Sequence, residues 1–396
     1  MQQQHSFSLP DPDADSAAHS IRVADYIRAR IRDAGGDISF AEYMHHCLYA
    51  PGLGYYSAGS RKFGPSGDFV TAPEVSSVFG SVVARQCAAT LGQVEAGEIL
   101  EFGAGSGKLA VDILRELSGI GDGAEFKYKI VEVSGDLRER QEARVRSEIP
   151  ELADRVEWIN ELPTGFRGVV VANELLDALP VERFIREQGK VMQVRVSCSE
   201  DGFRCEDHPA PENLEQAVLE IEASLGESLP PGYRSDICLA APQWVRDLSD
   251  MLSEGVVLLF DYGVGRREYY APERSGGWLR CHFRHHAHDD PTILPGIQDL
   301  TAWVDFTAVA EAALASGLDI AGFVTQAQFL IGGGLDRHLA QFADLPTDAQ
   351  LKLSAEIKLL TLPSEMGEHF KCMALSRGDV LIPAAFGFAD RTASLG

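Results

Sequence analysis

The chain is expected to adopt an α/β fold: a seven-stranded, mostly parallel sheet with helices on both faces, a helical N-terminal section, and inserted α+β elements that meet the substrate. Three observations predict it. From about residue 95 onward, short apolar runs alternate with helical stretches, the pattern of a parallel sheet. One run, residues 98–102, ends in Gly103-Ala104-Gly105-Ser106-Gly107, with three glycines at alternate positions before a helical segment. A second run, residues 127–133, carries the carboxylate Glu132 at its end, about 25 residues past the loop and near the roughly 20 expected of a nucleotide-type βαβ unit.

Residues 1–16 are rich in Gln, Asp and Pro and contain no Arg or Lys. They read as neither signal nor transit peptide, and residues 1–17 are expected to form a disordered tail. Residues 16–34 place Ile21, Val23, Ile27 and Ile31 on one side of a helix that Gly35-Gly36 ends. A short helix is expected over 39–48, an aromatic turn over 51–56, a loop over 67–74 and a helix over 76–91. Residues 18–94 thus form a helical cover, and the sheet domain occupies 95–380. Its strands are expected at 98–102, 128–133, 156–159, 168–173, 255–261, 318–323 and 370–375, with helices at 109–117, 135–147 and 306–315. The run Gly168-Val169-Val170-Val171-Ala172-Asn173 is continuously apolar before Asn173, as a central strand buried on both faces should be. Two insertions interrupt the alternation. Residues 181–235 hold hairpin material at 190–196 and a helix at 212–224; residues 264–298 are rich in Arg, His, Pro and Gly. Both follow strand carboxyl ends, the edge where open α/β sheets bind ligands. Residues 381–396 form a C-terminal tail.

The chain has 396 residues, 45% of them hydrophobic, and a formal net charge of −24. That balance repels phosphate backbones and argues against nucleic acid as partner. Seven cysteines, an odd number without a C-x-x-C pair, suit free thiols in a reducing compartment. No apolar run reaches the roughly 18 residues of a membrane span. A bacterial cytoplasm is the expected location.

The glycine loop can be tested against three ligands. A Walker A loop needs G-x-x-x-x-G-K-[ST], but Phe102 stands where its first glycine belongs and Leu109 follows Lys108. A dinucleotide loop needs G-x-G-x-x-G, and here the third glycine comes one residue early. The remaining pattern, E-x-G-x-G-x-G, resembles the loop of class I S-adenosylmethionine (SAM) methyltransferases. Glu132 would accept hydrogen bonds from the ribose hydroxyls, and Glu101 would sit beside the methionine end.

Further segments extend the resemblance. They are Ser39-Phe40-Ala41-Glu42-Tyr43-Met44, Gly54-Tyr55-Tyr56, Gly67-Asp68-Phe69-Val70-Thr71-Ala72-Pro73-Glu74, Asn173-Glu174-Leu175-Leu176-Asp177-Ala178-Leu179-Pro180, Asp261-Tyr262-Gly263, Gln298-Asp299-Leu300-Thr301-Ala302 and the run from Arg280 to Pro291. Together they are similar to the MidA-type methyltransferases, the family that includes the mitochondrial protein-arginine methyltransferase acting in respiratory complex I assembly. The resemblance spans about residues 20–377. It implies a class I, Rossmann-like fold, SAM as cofactor, and an arginine-containing protein segment as partner; it allows a homodimer.

Methyl transfer to a guanidinium needs an oriented nitrogen relieved of a proton, because arginine is protonated at neutral pH. Carboxylates serve both needs. The catalytic candidates are Asn173, Glu174, Asp177 and Glu74. The cofactor-binding candidates are Glu101, Gly103, Ala104, Gly105, Gly107, Glu132, Asp68 and Asn173. Strand-end capping would equally account for Asn173, Glu174 and Asp177, and a helix start for Pro73-Glu74. Tyr262 reads as a wall of the acceptor channel or as a core aromatic. Tyr43, Tyr55 and Tyr56 read as packing residues or as part of the SAM pocket lining. His282, His285, His286 and His288 beside Asp289 and Asp290 invite a metal reading; interleaved arginines favour a recognition loop or a structural network, so no metal is expected. Two other functions stay open on the same fold, a small-molecule O- or N-methyltransferase and a SAM-binding assembly chaperone with little turnover.

Overall fold

The structure is a computed structural model and describes residues 9–58, 70–120, 126–200, 202–340 and 342–396. Seven strands form the central sheet: β1 Glu98–Phe102, β2 Tyr128–Val131, β3 Val156–Ile159, β4 Phe166–Asn173, β5 Leu252–Val264, β6 Asp319–Thr325 and β7 Phe370–Arg377. Their spatial order is β6-β7-β5-β4-β1-β2-β3. β7 runs antiparallel to both neighbours and the other pairs are parallel. An eighth member, the two-residue strand Val304–Asp305, pairs with the end of β5.

The central strands read as apolar runs because both faces are covered. Val169, Val171, Val256, Leu258 and Phe260 pack on one side, and Val170, Val257 and Leu259 on the other, all at most 1% exposed. The helices follow the expected pattern: α1 Ala14–Asp33, α2 Phe40–Tyr49, α3 Ser77–Leu91, α4 Lys108–Ser118 and α5 Gly135–Glu148. α1 begins inside the expected tail. Asp13 caps it, accepting the Ser16 N–H at 2.9 Å, and Arg284 from the second insertion pairs with Asp13. The C-terminal segment is packed rather than loose: Ala385, Phe386 and Leu395 are buried and Arg391 pairs with Glu368.

The first insertion contains more strand than the expected hairpin. Glu182–Glu187, Lys190–Ser199, Gly202–Pro209 and Tyr233–Ile237 form a second sheet. Asp37–Ser39 adds to it, antiparallel to Lys190–Ser199, so the N-terminal cover and this insertion share one layer. Val23, Ile27, Phe40 and Tyr43 pack with Val181, Val196, Cys281 and Leu300 beneath it. In the second insertion Arg280–Phe283 pairs with His286–His288 and with Asp299–Thr301.

Gly168 and Gly255 sit side by side where β4 and β5 begin, at φ +134° and +140°. A Cβ on Gly255 would lie 1.9 Å from the Gly168 carbonyl oxygen. Gly255→Ala is therefore expected to destabilise the fold by about 2–5 kcal/mol, from overpacking and backbone strain together. A urea midpoint equal to wild type would show that the strands relax around the methyl group.

Candidate active site

The chain moves outward from β1 toward β3 and from β4 toward β5, so the carboxyl ends of β1 and β4 form a topological switch point, the crevice where open α/β sheets bind ligands. The glycine loop leaves β1 here. Gly103, Gly105 and Gly107 all have positive φ, +63°, +53° and +78°, a path that side chains disfavour. Gly107 also caps α4, and a Cβ there would come within 3.3 Å of Gln141. Ser106 anchors the loop: its hydroxyl donates to Glu74 and accepts from Arg144 at 2.7 Å.

Glu101 lies inside, 2% exposed, and accepts the Tyr128 hydroxyl at 2.8 Å. Burial pushes its carboxyl up to about 8, against the pull of that hydrogen bond. Glu132 follows β2 at the start of α5. Its carboxylate accepts the Ser134 N–H and the Gln141 amide, each at 2.9 Å. The same Gln141 nitrogen donates to the Gly105 carbonyl at 3.0 Å, and the Gln141 oxygen accepts the Trp158 indole N–H at 2.9 Å. Buried Gln141 thus ties Glu132 to the glycine loop.

Residues 173–177 turn sharply away from β4. Glu174 has φ +50°, a rare conformation for a residue with a side chain. Asp261, near the end of β5, holds the turn: one carboxylate oxygen accepts the N–H groups of Leu176 and Asp177, at 2.9 and 3.2 Å. The Glu174 N–H donates to the Phe260 carbonyl at 2.8 Å. Asp177 accepts the Tyr262 hydroxyl through one oxygen. Its other oxygen, and the amide oxygen of Asn173, are buried without a hydrogen-bond partner among the described residues.

Two connected spaces result. The first is a cleft lined by Tyr56, Glu74, Glu101, the glycine loop, Asn173, Glu174 and Asp177. The second is a cavity of about 310 Å³ that shares Glu174 and Asp177 and adds Tyr262, His282, Asp299 and Trp303. Carboxyls crowd this junction. Burial, then the neighbouring Asp177, pushes Glu174 up to about 8, while hydrogen bonds from the Asn173 amide and then the Ala72 N–H oppose the shift. Asp177 and Asp261 are also raised, chiefly by burial.

Residues 82–324 match the model of the family described as "Putative S-adenosyl-L-methionine-dependent methyltransferase". The chain belongs to this family. It is 31% identical, over 93% of its length and 88% of the relative's, to the protein arginine methyltransferase NDUFAF7 homolog, mitochondrial, of Drosophila melanogaster. Against the Danio rerio protein arginine methyltransferase NDUFAF7, mitochondrial, identity is 29% over 85% of this chain and 83% of that one. A crystal structure from Burkholderia thailandensis bound to S-adenosyl-homocysteine superposes with a TM-score of 0.90 at 40% identity, covering 98% of this chain and all of that one.

The residues of this methyltransferase fit SAM, its cofactor. A bare-backbone loop at a helix N-terminus offers N–H donors to a carboxylate, and the fixed carboxylate of Glu132 and the orphaned Asn173 oxygen are acceptors of the kind that a ribose diol and an ammonium group require. Of the candidates, Glu101, Gly103, Ala104, Gly105, Asn173, Glu174, Asp177 and Glu74 line the cleft. Gly107 stands at the head of α4, and Glu132, joined to Gly105 through Gln141, is not among the residues that line the cleft. Glu74 meets the glycine loop and Arg144, at 3.5 Å, not the acidic junction. Asp68 lies outside the described residues. Asp299 emerges only from the structure as a wall of the second cavity, with Tyr56 donating its hydroxyl to it at 3.0 Å; the segment containing it was visible, its role was not. The histidines separate: His282 faces the cavity, while the His286 ring bonds the Arg284 carbonyl at 2.7 Å. Among the described residues no group of three or more His, Cys, Asp and Glu side chains could hold a metal, and no helix is long and apolar enough to cross a membrane.

Proposed function

We propose that this methyltransferase acts on the guanidinium of an arginine in a protein segment, of the kind a respiratory complex I-type subunit would present. One observation carries the reading: Glu174, Asp177 and Asp299 converge with Tyr262 and Trp303 on the cavity that adjoins the cofactor cleft. A planar cation is the ligand such a cavity suits, through bidentate carboxylate bonds and aromatic faces. The arginine methyltransferase relatives support it.

Glu132 and the glycine loop would hold the cofactor, with Glu101 and Asn173 at its amino-acid end and Glu74 bracing the loop through Ser106. When bound, SAM supplies an activated sulfonium methyl for in-line displacement. Glu174 and Asp177 orient the guanidinium so that one nitrogen faces the cleft. Glu174 takes the proton that this nitrogen gives up as the N–C bond forms. Tyr262 holds Asp177 in place. The reading includes a reducing, cytoplasm-type compartment, in keeping with the cysteine pattern.

Incubation with labelled SAM and host-cell extract, followed by mass spectrometry, tests the proposal. Monomethyl- or dimethylarginine in a protein is expected. Label on a small molecule would replace the reading with a small-molecule methyltransferase, and a stoichiometric protein partner without label would replace it with an assembly chaperone.

A further inference from the structure

We infer that the acceptor cavity continues past Trp303 into a carboxylate-binding subsite, which selects arginines that have an acidic residue nearby. The inference rests on the arginine reading and adds a specificity to it. A second cavity of about 320 Å³ shares Trp303 and His369 with the acceptor cavity. Its charge is opposite in character. Lys371 on β7 is 7% exposed. Its ammonium donates to the backbone carbonyls of Glu368 and His369, which leaves one of three donors unused. Among the described residues no carboxylate lies within salt-bridge distance of it, although Glu368 and Glu268 are near enough to favour its charge, and none pairs with the exposed Arg267. Arg391 and Glu368 neutralise each other at 2.6 Å, so Glu268 is the remaining acid on this wall.

Two cations against one acid give a local positive excess in a chain of net charge −24. Burial works against the Lys371 charge and the two glutamates only partly offset it, so an anion paired directly with the ammonium would stabilise it. On the other side of Trp303 stand four acids, Glu174, Asp177, Asp299 and Glu365, against one cation, Arg280. Neighbouring pockets of opposite sign fit a segment that carries an arginine and, a short distance along the chain, an aspartate or glutamate.

The test uses the full-length enzyme, labelled SAM and C-terminally amidated peptides. Each has one arginine and a Glu, Gln or Lys placed at successive positions on either side. At the favoured position, kcat/KM for the Glu peptide is expected to exceed that for Gln by about tenfold, the scale of one charge-assisted hydrogen bond. Arg267→Glu, a surface change, should shrink that ratio; Lys371→Met should remove it. Equal rates for Glu and Gln peptides at every position would overturn the inference and leave arginine methylation intact. A gain seen only when the Gln peptide has a free C-terminal carboxylate would also overturn it, because the subsite would then read a chain end. No methylation of any peptide would remove the arginine reading and this inference with it.

Discussion

Replacing Glu174 by Gln is expected to lower kcat for arginine methylation by about two to four orders of magnitude, the usual contribution of a positioned proton acceptor, while S-adenosyl-homocysteine still binds. Gln keeps the shape and an oxygen for the Ala72 N–H but can neither take a proton nor hold a guanidinium as an ion pair. Asp177 stays in place through Tyr262, so the variant removes the charge and the proton acceptance of Glu174 while leaving its neighbour positioned. If kcat fell by less than about fivefold, well short of that range, the proton would have to leave by another group, and Asp177 would be the next to test.

The same carboxyl sets a pH dependence. Burial raises Glu174 to about 8, so it is protonated in the free enzyme at neutral pH. kcat/KM should therefore climb as pH rises toward 8 and level off above it. A bound guanidinium favours the anion, so the kcat profile should be displaced to lower pH. In Glu174→Gln the step attributable to this group should vanish. Stability moves the other way. With the folded-state value above the unfolded one of about 4.3, the native state holds the extra proton across this window. Stability contributed by Glu174 is thus present below about pH 4 and declines as pH rises through 8. Glu174→Gln should match or exceed wild type in thermal stability above pH 8, which separates lost chemistry from lost folding.

What the sequence disclosed, and what it did not, follows from range. β4 and β5 were legible because burial on both faces leaves an uninterrupted apolar run, and the glycine loop because its backbone path excludes side chains locally. Asp13 three residues before Ser16 was a readable helix cap, yet the polar composition around it suggested a tail. Gly202–Pro209 is polar and ends in proline; as a largely exposed strand it carries no apolar alternation. Asp37–Ser39 is three residues long and finds its partner about 160 residues away, beyond any local pattern. The site behaves likewise. Glu174 and Asp177 announce themselves as carboxylates at a strand end. Gln141, which links Glu132 to Gly105, and Asp299, held by Tyr56, gain their roles only when distant segments meet.

Glu132→Ala should weaken S-adenosyl-homocysteine binding by about a hundredfold or more, since hydrogen bonds from two ribose hydroxyls to one carboxylate are worth roughly 1.5–3 kcal/mol each. The carboxylate is already fixed by Ser134 and Gln141, so little ordering remains to be done when ligand arrives. That same rigidity creates the rival explanation: Glu132 could matter only by holding α5 and the glycine loop together. Two measurements separate these. Gln141→Ala breaks the link between Glu132 and the Gly105 carbonyl but leaves the carboxylate. If binding depends on the carboxylate itself, calorimetry should show a much smaller loss for Gln141→Ala than for Glu132→Ala. In addition, Glu132→Ala should raise KM for SAM far more than it lowers kcat at saturation, because the ribose contact is the same in ground and transition states. Equal losses in both variants, with a matching fall in thermal stability, would make Glu132 a structural brace and move ribose recognition to the residues that line the cleft.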